Sequence, residues 1–215
     1  MKPRTQEQLE NFHQAVMNRS RDSVIPEPLK VNSDSEFRAY LGGQEGSWYY
    51  RWLRSAVEEF EPKNILELGT NTGASAIALY SAKASYCDLV TVDIQDVARC
   101  LPEEMFKHPN FCQVIADDVA PGVVESTIGT ANPMLVKRFH GSVDFLFIDT
   151  DHRADHLRKE LDIYLKWLAP GALVVLDDIN INDMREVWDS LPFVKLDISE
   201  DCHYSGFGMF VWEPA

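Results

Sequence analysis

Acidic side chains stand at or directly after the carboxyl ends of five short apolar runs. These residues are Glu67, Asp93, Asp117, Asp118, Asp149, Asp151, Asp177 and Asp178. A single acidic residue after a strand is often only a helix cap. In an open α/β sheet, however, ligands bind outside the carboxyl ends of the strands, so these side chains would meet at one edge. The pattern predicts a binding site there, suited to a cationic ligand or a metal ion.

The stretch ELGTNTG, residues 67–73, joins one of these carboxylates to two glycines. Gly69 and Gly73 would let the backbone turn tightly and approach a ligand closely. Their spacing is not Gly-x-Gly-x-x-Gly, and no basic residue is near, which disfavours a phosphate-rich dinucleotide. Glu67 would instead suit a ligand with an amino group or another cationic centre. Asp93 follows about 20 residues later, where a carboxylate can hold ribose hydroxyls.

Five near-continuous apolar runs supply the strands that must carry these side chains. They are NILEL, LVTVD, FCQVIA, VDFLFID and ALVVLDD. Runs without polar alternation are typical of strands buried on both faces of a parallel sheet. Later, FVKLDIS and GFGMFVWEP are strands with no helix between them, which favours an antiparallel pair. We predict an α/β fold with a doubly wound, mostly parallel seven-stranded sheet and a C-terminal antiparallel hairpin.

A helix is predicted between the last two parallel strands, from ADHLRKELDIYLKWLAPG. Its apolar residues form one stripe, and Pro170 and Gly171 are expected to close it. His152 and His156 are spaced i, i+4 at its start. No further histidine or cysteine follows at the spacing of a zinc site, so a solvent-facing pair is favoured over a metal clamp. We assign no role to Asp118.

The first 60 residues show helical patterns and lack the short apolar runs of the rest of the chain. A polar helix, TQEQLENFHQAVMNRSRDS, is followed by the proline-broken connector VIPEPLKVNSDS and by a second helix over about residues 46–60. Aromatic residues of the second helix, including Trp48, Tyr49 and Trp52, are expected in the core, with substrate contact as the alternative. We divide the chain into an N-terminal helical cap or lid, residues 1–60, and a main domain, residues 61–215.

The residues ELGTNTG, Asp93 and IADD resemble the cofactor site of class I S-adenosylmethionine-dependent methyltransferases. The resemblance runs over about residues 63–213 and implies a Rossmann-like methyltransferase fold for residues 61–215. It implies that Gly69 and Gly73 flank the methionine part of the cofactor, that Asp93 binds ribose and that Asp117 lies near the adenine. The cofactor-binding set that we assign also includes Glu67, Ser75 and Asp149.

The stretches VDFLFIDTDH and LKWLAPGALVVLDDIN are similar to the catechol-type O-methyltransferases and their macrocin-type and cephalosporin-hydroxylase-like bacterial relatives. In the catechol type, an Asp after strand four and an Asp-Asn pair after strand five hold magnesium. The matching positions are Asp149, Asp177 and Asp178, the last an Asp where that type has Asn. Oxygen ligands suit Mg²⁺, and also Mn²⁺.

His152 stands where the catechol-type enzymes have their lysine base. Histidine can serve as a base near neutral pH. The neighbouring Asp149 and Asp151 would favour the protonated imidazole, whereas a bound cation and the helix N-terminus would oppose it. The sequence leaves the balance between these effects open.

The resemblance implies an enzyme that moves the methyl group of S-adenosylmethionine to a hydroxyl of a small-molecule acceptor, with a divalent cation at the acceptor oxygen. Three alternatives stay open. One is a metal-independent N- or O-methyltransferase whose carboxylates bind an amine. Another is a non-catalytic protein that binds S-adenosylmethionine. The third, a nucleotide-cofactor oxidoreductase, is disfavoured by the glycine spacing.

The composition and the apolar pattern limit the classes of partner and the cellular location that we expect. The net charge of −14, from 20 basic and 34 acidic residues, argues against a nucleic-acid or anionic-membrane partner. The four cysteines lack the close spacing of zinc or redox pairs. The N-terminus lacks the apolar core of a signal peptide, and no apolar run reaches membrane-spanning length, so we expect a soluble, cytoplasmic protein. A homodimer or a higher homo-oligomer is compatible with the sequence.

Overall fold

The structure, a computed structural model of the 215-residue chain, describes residues 2–23, 48–120, 122–131 and 133–214. The connector predicted at residues 24–35 lies outside the described residues. So do residues 46 and 47, where the second helix was expected to begin. Among the helices within the described ranges, none combines the length and apolar character needed to cross a bilayer.

A seven-stranded sheet forms the centre of the molecule, in the order β3-β2-β1-β4-β5-β7-β6. β1 to β5 pair in parallel, and β7 is antiparallel to both β5 and β6. This confirms the predicted doubly wound sheet and its terminal hairpin. The strands are β1 (Asn64–Leu68), β2 (Asp88–Asp93), β3 (Phe111–Ile115), β4 (Val143–Ile148), β5 (Leu168–Asp177), β6 (Val194–Asp197) and β7 (Phe207–Trp212).

The winding direction changes between β1 and β4, which are neighbours in the sheet although they are far apart in the chain. On one side of this boundary the chain continues to β2 and β3, and on the other side to β5. Such a switch point leaves a crevice at the carboxyl ends of the strands, where open α/β sheets bind their ligands. The carboxylates predicted to form a site flank this crevice.

Helices cover both faces of the sheet. They are α1 (Gln6–Ser20), α2 (Trp48–Phe60), α3 (Ala74–Ala82), α4 (Glu103–Lys107), α5 (Val123–Ala131), α6 (Pro133–Phe139), α7 (Ala154–Tyr164) and α8 (Met184–Ser190). Thr5 caps α1 by accepting a hydrogen bond from the Gln8 backbone N–H at 3.2 Å. α7 begins after Arg153, next to the carboxyl end of β4, and therefore stands close to the predicted site.

The end of α7 differs from the prediction. The helix stops at Tyr164 and a 3₁₀ turn follows it, so the prediction that Pro170 and Gly171 close the helix is wrong. Both residues lie inside β5. The pairing of β4 with β5 shifts its register between Val143 and Phe145, which is the kind of irregularity that admits a proline into a sheet.

Two apolar clusters fill the two faces. Alternate residues of β4 divide between them: Phe145 and Phe147 belong to one cluster, Leu146 and Ile148 to the other. This alternation follows from the twofold repeat of a strand, and it explains why the run has no polar positions. The first cluster also contains Trp52 of α2, whose ring centroid lies 5.3 Å from that of Phe207. Trp52 is therefore a core residue.

Candidate functional site

The turn after β1 fits only a glycine. Gly69 has φ +87°, and a Cβ on it would lie 1.8 Å from the carbonyl oxygen of Asp149. Gly73 has φ +82°, and its Cβ would lie 2.6 Å from Leu101 Cδ2. Any larger residue at either position would be strained and would collide with its neighbour. Gly69 thus allows the loop after β1 to touch the loop after β4, and Gly73 allows it to touch Leu101. The approach of the two glycines to a ligand stays a prediction.

Asp93, at the end of β2, holds the same turn. Its Oδ2 accepts hydrogen bonds from the backbone N–H groups of Thr70, at 3.0 Å, and Asn71, at 2.8 Å. Its Oδ1 accepts one from the backbone N–H of Gln95 at 2.8 Å. The carboxylate therefore orders the loop between β1 and α3 and lies at the crevice, where the sequence predicts a ribose.

Glu67 is a fully buried carboxyl in the middle of the sheet. Its Oε2 accepts a hydrogen bond from the Thr91 hydroxyl, whereas Oε1 has no hydrogen-bond partner among the described residues. Burial raises the pKa of Glu67 to about 8, against the opposing effect of the Ser75 and Thr91 hydroxyls. A buried carboxyl oxygen without a donor fits the amino group that the sequence predicts as a ligand here.

Because of the raised pKa of Glu67, the free energy of unfolding of the ligand-free protein depends on pH. Because the folded state holds this proton more tightly, the free energy of unfolding falls as pH rises from about 4.5 to about 8. Glu67→Gln mimics the protonated group. We expect it to stabilise the protein by about 2 to 4 kcal/mol at pH 8 and by less than about 1 kcal/mol at pH 5. Urea unfolding at both pH values measures this, with exposed Glu10→Gln as control. A stability gain that does not change with pH would contradict it.

Three carboxylates converge at the adjacent ends of β4 and β5: Asp149, Asp177 and Asp178. Asp177 is buried, and the backbone N–H of Asp178 donates to its Oδ1 at 2.8 Å. Burial raises the pKa of Asp177, and the nearby Asp149 raises it further. Asp178 has φ +54°, in the left-handed region. The predicted metal-ligand residues thus lie together, close enough to repel one another.

Two histidines contact this carboxylate cluster. His152 Nε2 lies 2.8 Å from Asp178 Oδ2 and 3.6 Å from Asp149 Oδ1. The nearby carboxylates, first Asp149 and then Asp178, raise the pKa of His152 to about 10. His203 Nε2 lies 2.9 Å from Asp177 Oδ1. Burial lowers the pKa of His203, but its interactions with Asp177 outweigh this and the net shift is upward.

His203 is the site residue that sequence reasoning missed. It lies in the loop between β6 and β7, far in the chain from β4 and β5, and it follows no strand end. Tyr49 of α2 packs edge-on against it, with ring centroids 4.9 Å apart. Burial raises the pKa of Tyr49, and Tyr50, Asp177 and Asp149 add to this. Unlike Trp52, Tyr49 therefore stands at the cluster, where substrate contact was the alternative to core packing.

The donor atoms of this cluster suit a divalent cation. Those of Asp149, His152 and Asp178 lie within 4.8 Å of one another, and so do those of Asp177, Asp178 and His203. Carboxylate oxygens with imidazole nitrogens form a set that Mg²⁺, Mn²⁺ or a related ion can use. A cation there would supply the positive charge that the two histidines otherwise provide.

The remaining predicted residues lie outside the carboxylate cluster. Ser75 is buried in α3 near Glu67, and Asp117 is exposed after β3. The prediction that His156 faces solvent is wrong, because its side chain is only 13% exposed and its Nε2 lies 3.2 Å from Asp118 Oδ2. The cause is tertiary: α7 packs its first turns against the loop that follows β3.

Comparison with known proteins adds independent findings. The family model Methyltransf_24, described as a methyltransferase domain, matches residues 66–179. A rhamnosyl O-methyltransferase of Mycobacterium tuberculosis is 25% identical over 138 residues, 63% of this chain and 52% of that protein. The chain thus spans about half the length of this relative. A second protein of that species, described as a probable O-methyltransferase, is 28% identical and covers 74% of this chain and 66% of its own.

Solved structures show a similar fold. The O-methyltransferase from Bacillus cereus in complex with SAH superposes with a TM-score of 0.51 at 18% identity, covering 94% of this chain and 91% of its own. The SAH-bound methyltransferase of Podospora anserina has a TM-score of 0.59 at 15% identity, covering 100% and 99%. At such low identities, the similarity to these two structures shows only a shared fold.

Proposed function

The chain belongs to the Methyltransf_24 family of methyltransferase domains, and from this premise we propose that it transfers a methyl group from S-adenosylmethionine to a hydroxyl of a small molecule. The family match includes ELGTNTG and the Asp149 loop, and it confirms the resemblance to class I methyltransferases. The observation that carries the proposal is the buried carboxyl of Glu67. Among the described residues its Oε1 has no hydrogen-bond partner, and Glu67 stands on β1, the strand at the switch point, two residues before Gly69.

The cofactor residues follow from this placement. Glu67 Oε1 would accept a hydrogen bond from the amino group of the methionine part. The lack of a donor to this oxygen within the described part of the chain supports this. Asp93 would hold the ribose hydroxyls while it keeps the turn after β1 in place. Asp117, exposed after β3, would lie near the adenine. S-adenosylmethionine, when bound, supplies the methyl group, which an acceptor oxygen takes from the sulfonium by in-line displacement.

We propose the carboxylate cluster as the acceptor side of the site. Asp149, Asp177 and Asp178 would hold a divalent cation, Mg²⁺ or Mn²⁺. Such an ion, when bound, supplies charge that lowers the pKa of an acceptor hydroxyl. The convergence of three carboxylates, one of them buried with a raised pKa, supports this assignment. Tyr49 of α2 packs against His203, which contacts the cluster, and this supports a lid role for the N-terminal segment.

His152 is the proposed base. Asp178 and Asp149 hold its Nε2 at the cluster, and its side chain is 39% exposed towards the crevice. In the protein alone, the two carboxylates keep the imidazole protonated. Ligation of those carboxylates to a cation would remove this effect, and Nε2 could then take the proton of the acceptor hydroxyl.

Ligand binding tests the cofactor assignment. S-adenosylhomocysteine should bind with an affinity on the order of micromolar and raise the melting temperature, whereas NAD should not. Asp93→Asn should weaken the binding of S-adenosylhomocysteine by about tenfold or more, because a hydrogen bond to a charged acceptor is lost. Calorimetric titration of the parent and the variant measures both effects.

The control for this test is Asp96→Asn, an exposed acid just after β2 that accepts a hydrogen bond from its own loop. It should leave the titration unchanged. Equal stabilisation by NAD and S-adenosylhomocysteine, or an Asp93→Asn titration like that of the parent, would overturn the cofactor assignment.

A further inference from the structure

A second cluster of metal-ligating side chains lies outside the proposed site. It is formed by Asp118, in the loop after β3, and by His156 and Glu160, one turn apart on α7. His156 Nε2 lies 3.2 Å from Asp118 Oδ2 and 3.8 Å from Glu160 Oε1. The donor atoms of all three residues lie within 4.8 Å of one another. Residues spaced i, i+4 share one helix face, so α7 presents two metal-ligating side chains to the loop.

Glu160 is the feature of this cluster that needs an explanation. Its side chain is 0% exposed. Thr150 Oγ1 donates to its Oε1 at 2.7 Å, but its Oε2 is buried and has no hydrogen-bond partner among the described residues. A buried carboxyl costs free energy unless its oxygens meet a donor or a cation. A buried glutamate with an unsatisfied oxygen, in a cluster with a second carboxylate and an imidazole, therefore indicates a missing positive partner.

Neighbouring hydroxyl groups hold Asp118 and Glu160 in place. The Tyr164 hydroxyl donates to the Asp118 carbonyl oxygen at 2.7 Å, and Thr150 fixes the other carboxyl oxygen of Glu160. Outer hydrogen bonds of this kind orient the ligands of protein metal sites. The side chains of Asp118 and His156 keep small exposed fractions, 14% and 13%, so solvent reaches the cluster.

We propose that Asp118, His156 and Glu160 bind one zinc ion. One imidazole nitrogen and two carboxylate oxygens are ligands that Zn²⁺ takes at four-coordinate sites, and water would occupy the remaining position. The ion would join the loop after β3 to α7. This loop also carries Asp117, so the ion would fix a neighbouring wall of the crevice. The proposal does not depend on the proposed function, because neither S-adenosylmethionine nor the carboxylate cluster is needed for it.

The competing explanation is a proton shared by Asp118 and Glu160. Burial raises the pKa of Glu160, and Asp118 raises it further, so a proton could take the place of the ion. Glu160→Gln separates the two possibilities. An amide keeps the shape of the side chain and can donate to Asp118 as a protonated carboxyl would, but it is a poor zinc ligand.

The experiment is a zinc titration in the background variant Asp177→Asn/Asp178→Asn, which removes most of the carboxylate cluster as a competing site. Isothermal titration with zinc alone measures affinity and stoichiometry, and Co²⁺ absorption reports the coordination. We expect one zinc per chain. Adding Glu160→Gln or His156→Gln should weaken its binding by about 100-fold or more and remove the rise in melting temperature caused by zinc.

The matched control is His140→Gln, because His140 also contacts a glutamate, Glu125, at 3.1 Å, but on the exposed surface. It should leave the titration unchanged. If Glu160→Gln fails to fold, His156→Gln still tests whether zinc affinity depends on the cluster, because His156 is partly exposed and its substitution disturbs the core less. Absence of stoichiometric zinc in the background variant, or equal zinc affinity after the Glu160 and His156 substitutions, would overturn the proposal and leave the shared proton.

Discussion

Asp177→Asn is expected to abolish metal-stimulated methyl transfer, with a loss of about a thousandfold or more, while S-adenosylhomocysteine binding stays within about threefold. Asp177 is buried at the end of β5 and faces Asp149 and His203. An amide there keeps the shape but removes the charge that makes the cluster attractive to a divalent cation. Glu67, Asp93 and Asp117, the residues proposed to hold the amino group, the ribose and the adenine, lie on β1, β2 and the loop after β3, so their contacts should survive.

The measurement needs an acceptor, which release of S-adenosylhomocysteine can identify from a panel of sugars and phenols. Initial rates are then compared with added Mg²⁺ or Mn²⁺ and after exhaustive chelation. The control is Asp151→Asn, which removes an acid beside the cluster that pairs with Arg153 instead, at 2.8 Å. Activity undiminished by chelation in the parent would rule out the metal and favour the metal-independent methyltransferase.

His152→Gln is expected to lower the maximal rate by about a hundredfold or more while leaving metal affinity within about tenfold. The glutamine cannot take a proton, yet it can still donate a hydrogen bond to Asp178 and keep the local shape. The rate should be measured at saturating S-adenosylmethionine and metal, so that weaker binding does not contribute. Mn²⁺ titration of the same variant shows whether the carboxylates still hold the ion.

His203→Gln is the matched comparison, because both histidines contact the same cluster. His203 is the more buried of the two, with 15% of its side chain exposed against 39% for His152. It therefore reaches an acceptor less readily. If His203→Gln loses the rate while His152→Gln retains it, the assignment of the base to His152 is wrong.

Local patterns in the sequence are enough to predict the strands, their order and the edge at which the site lies. Apolar runs without polar alternation are buried strands wherever they pack, and their order along the chain sets up the parallel sheet. Acidic residues at the strand ends follow the strands to one edge, so the sequence alone groups Asp149, Asp177 and Asp178. The spacing of Gly69 and Gly73 likewise predicts a tight turn. These features are local or follow from a general rule of sheet topology.

The other features follow from tertiary packing, because they depend on residues far apart in the chain. Gly69 must be a glycine since the carbonyl oxygen of Asp149 fills the space of its Cβ. His203 reaches Asp177 only because β7 lies next to β5. His156, expected in solvent, meets Asp118 because α7 packs against the loop after β3. Periodicity and spacing describe a single segment, whereas the partner of a side chain is set by how segments pack.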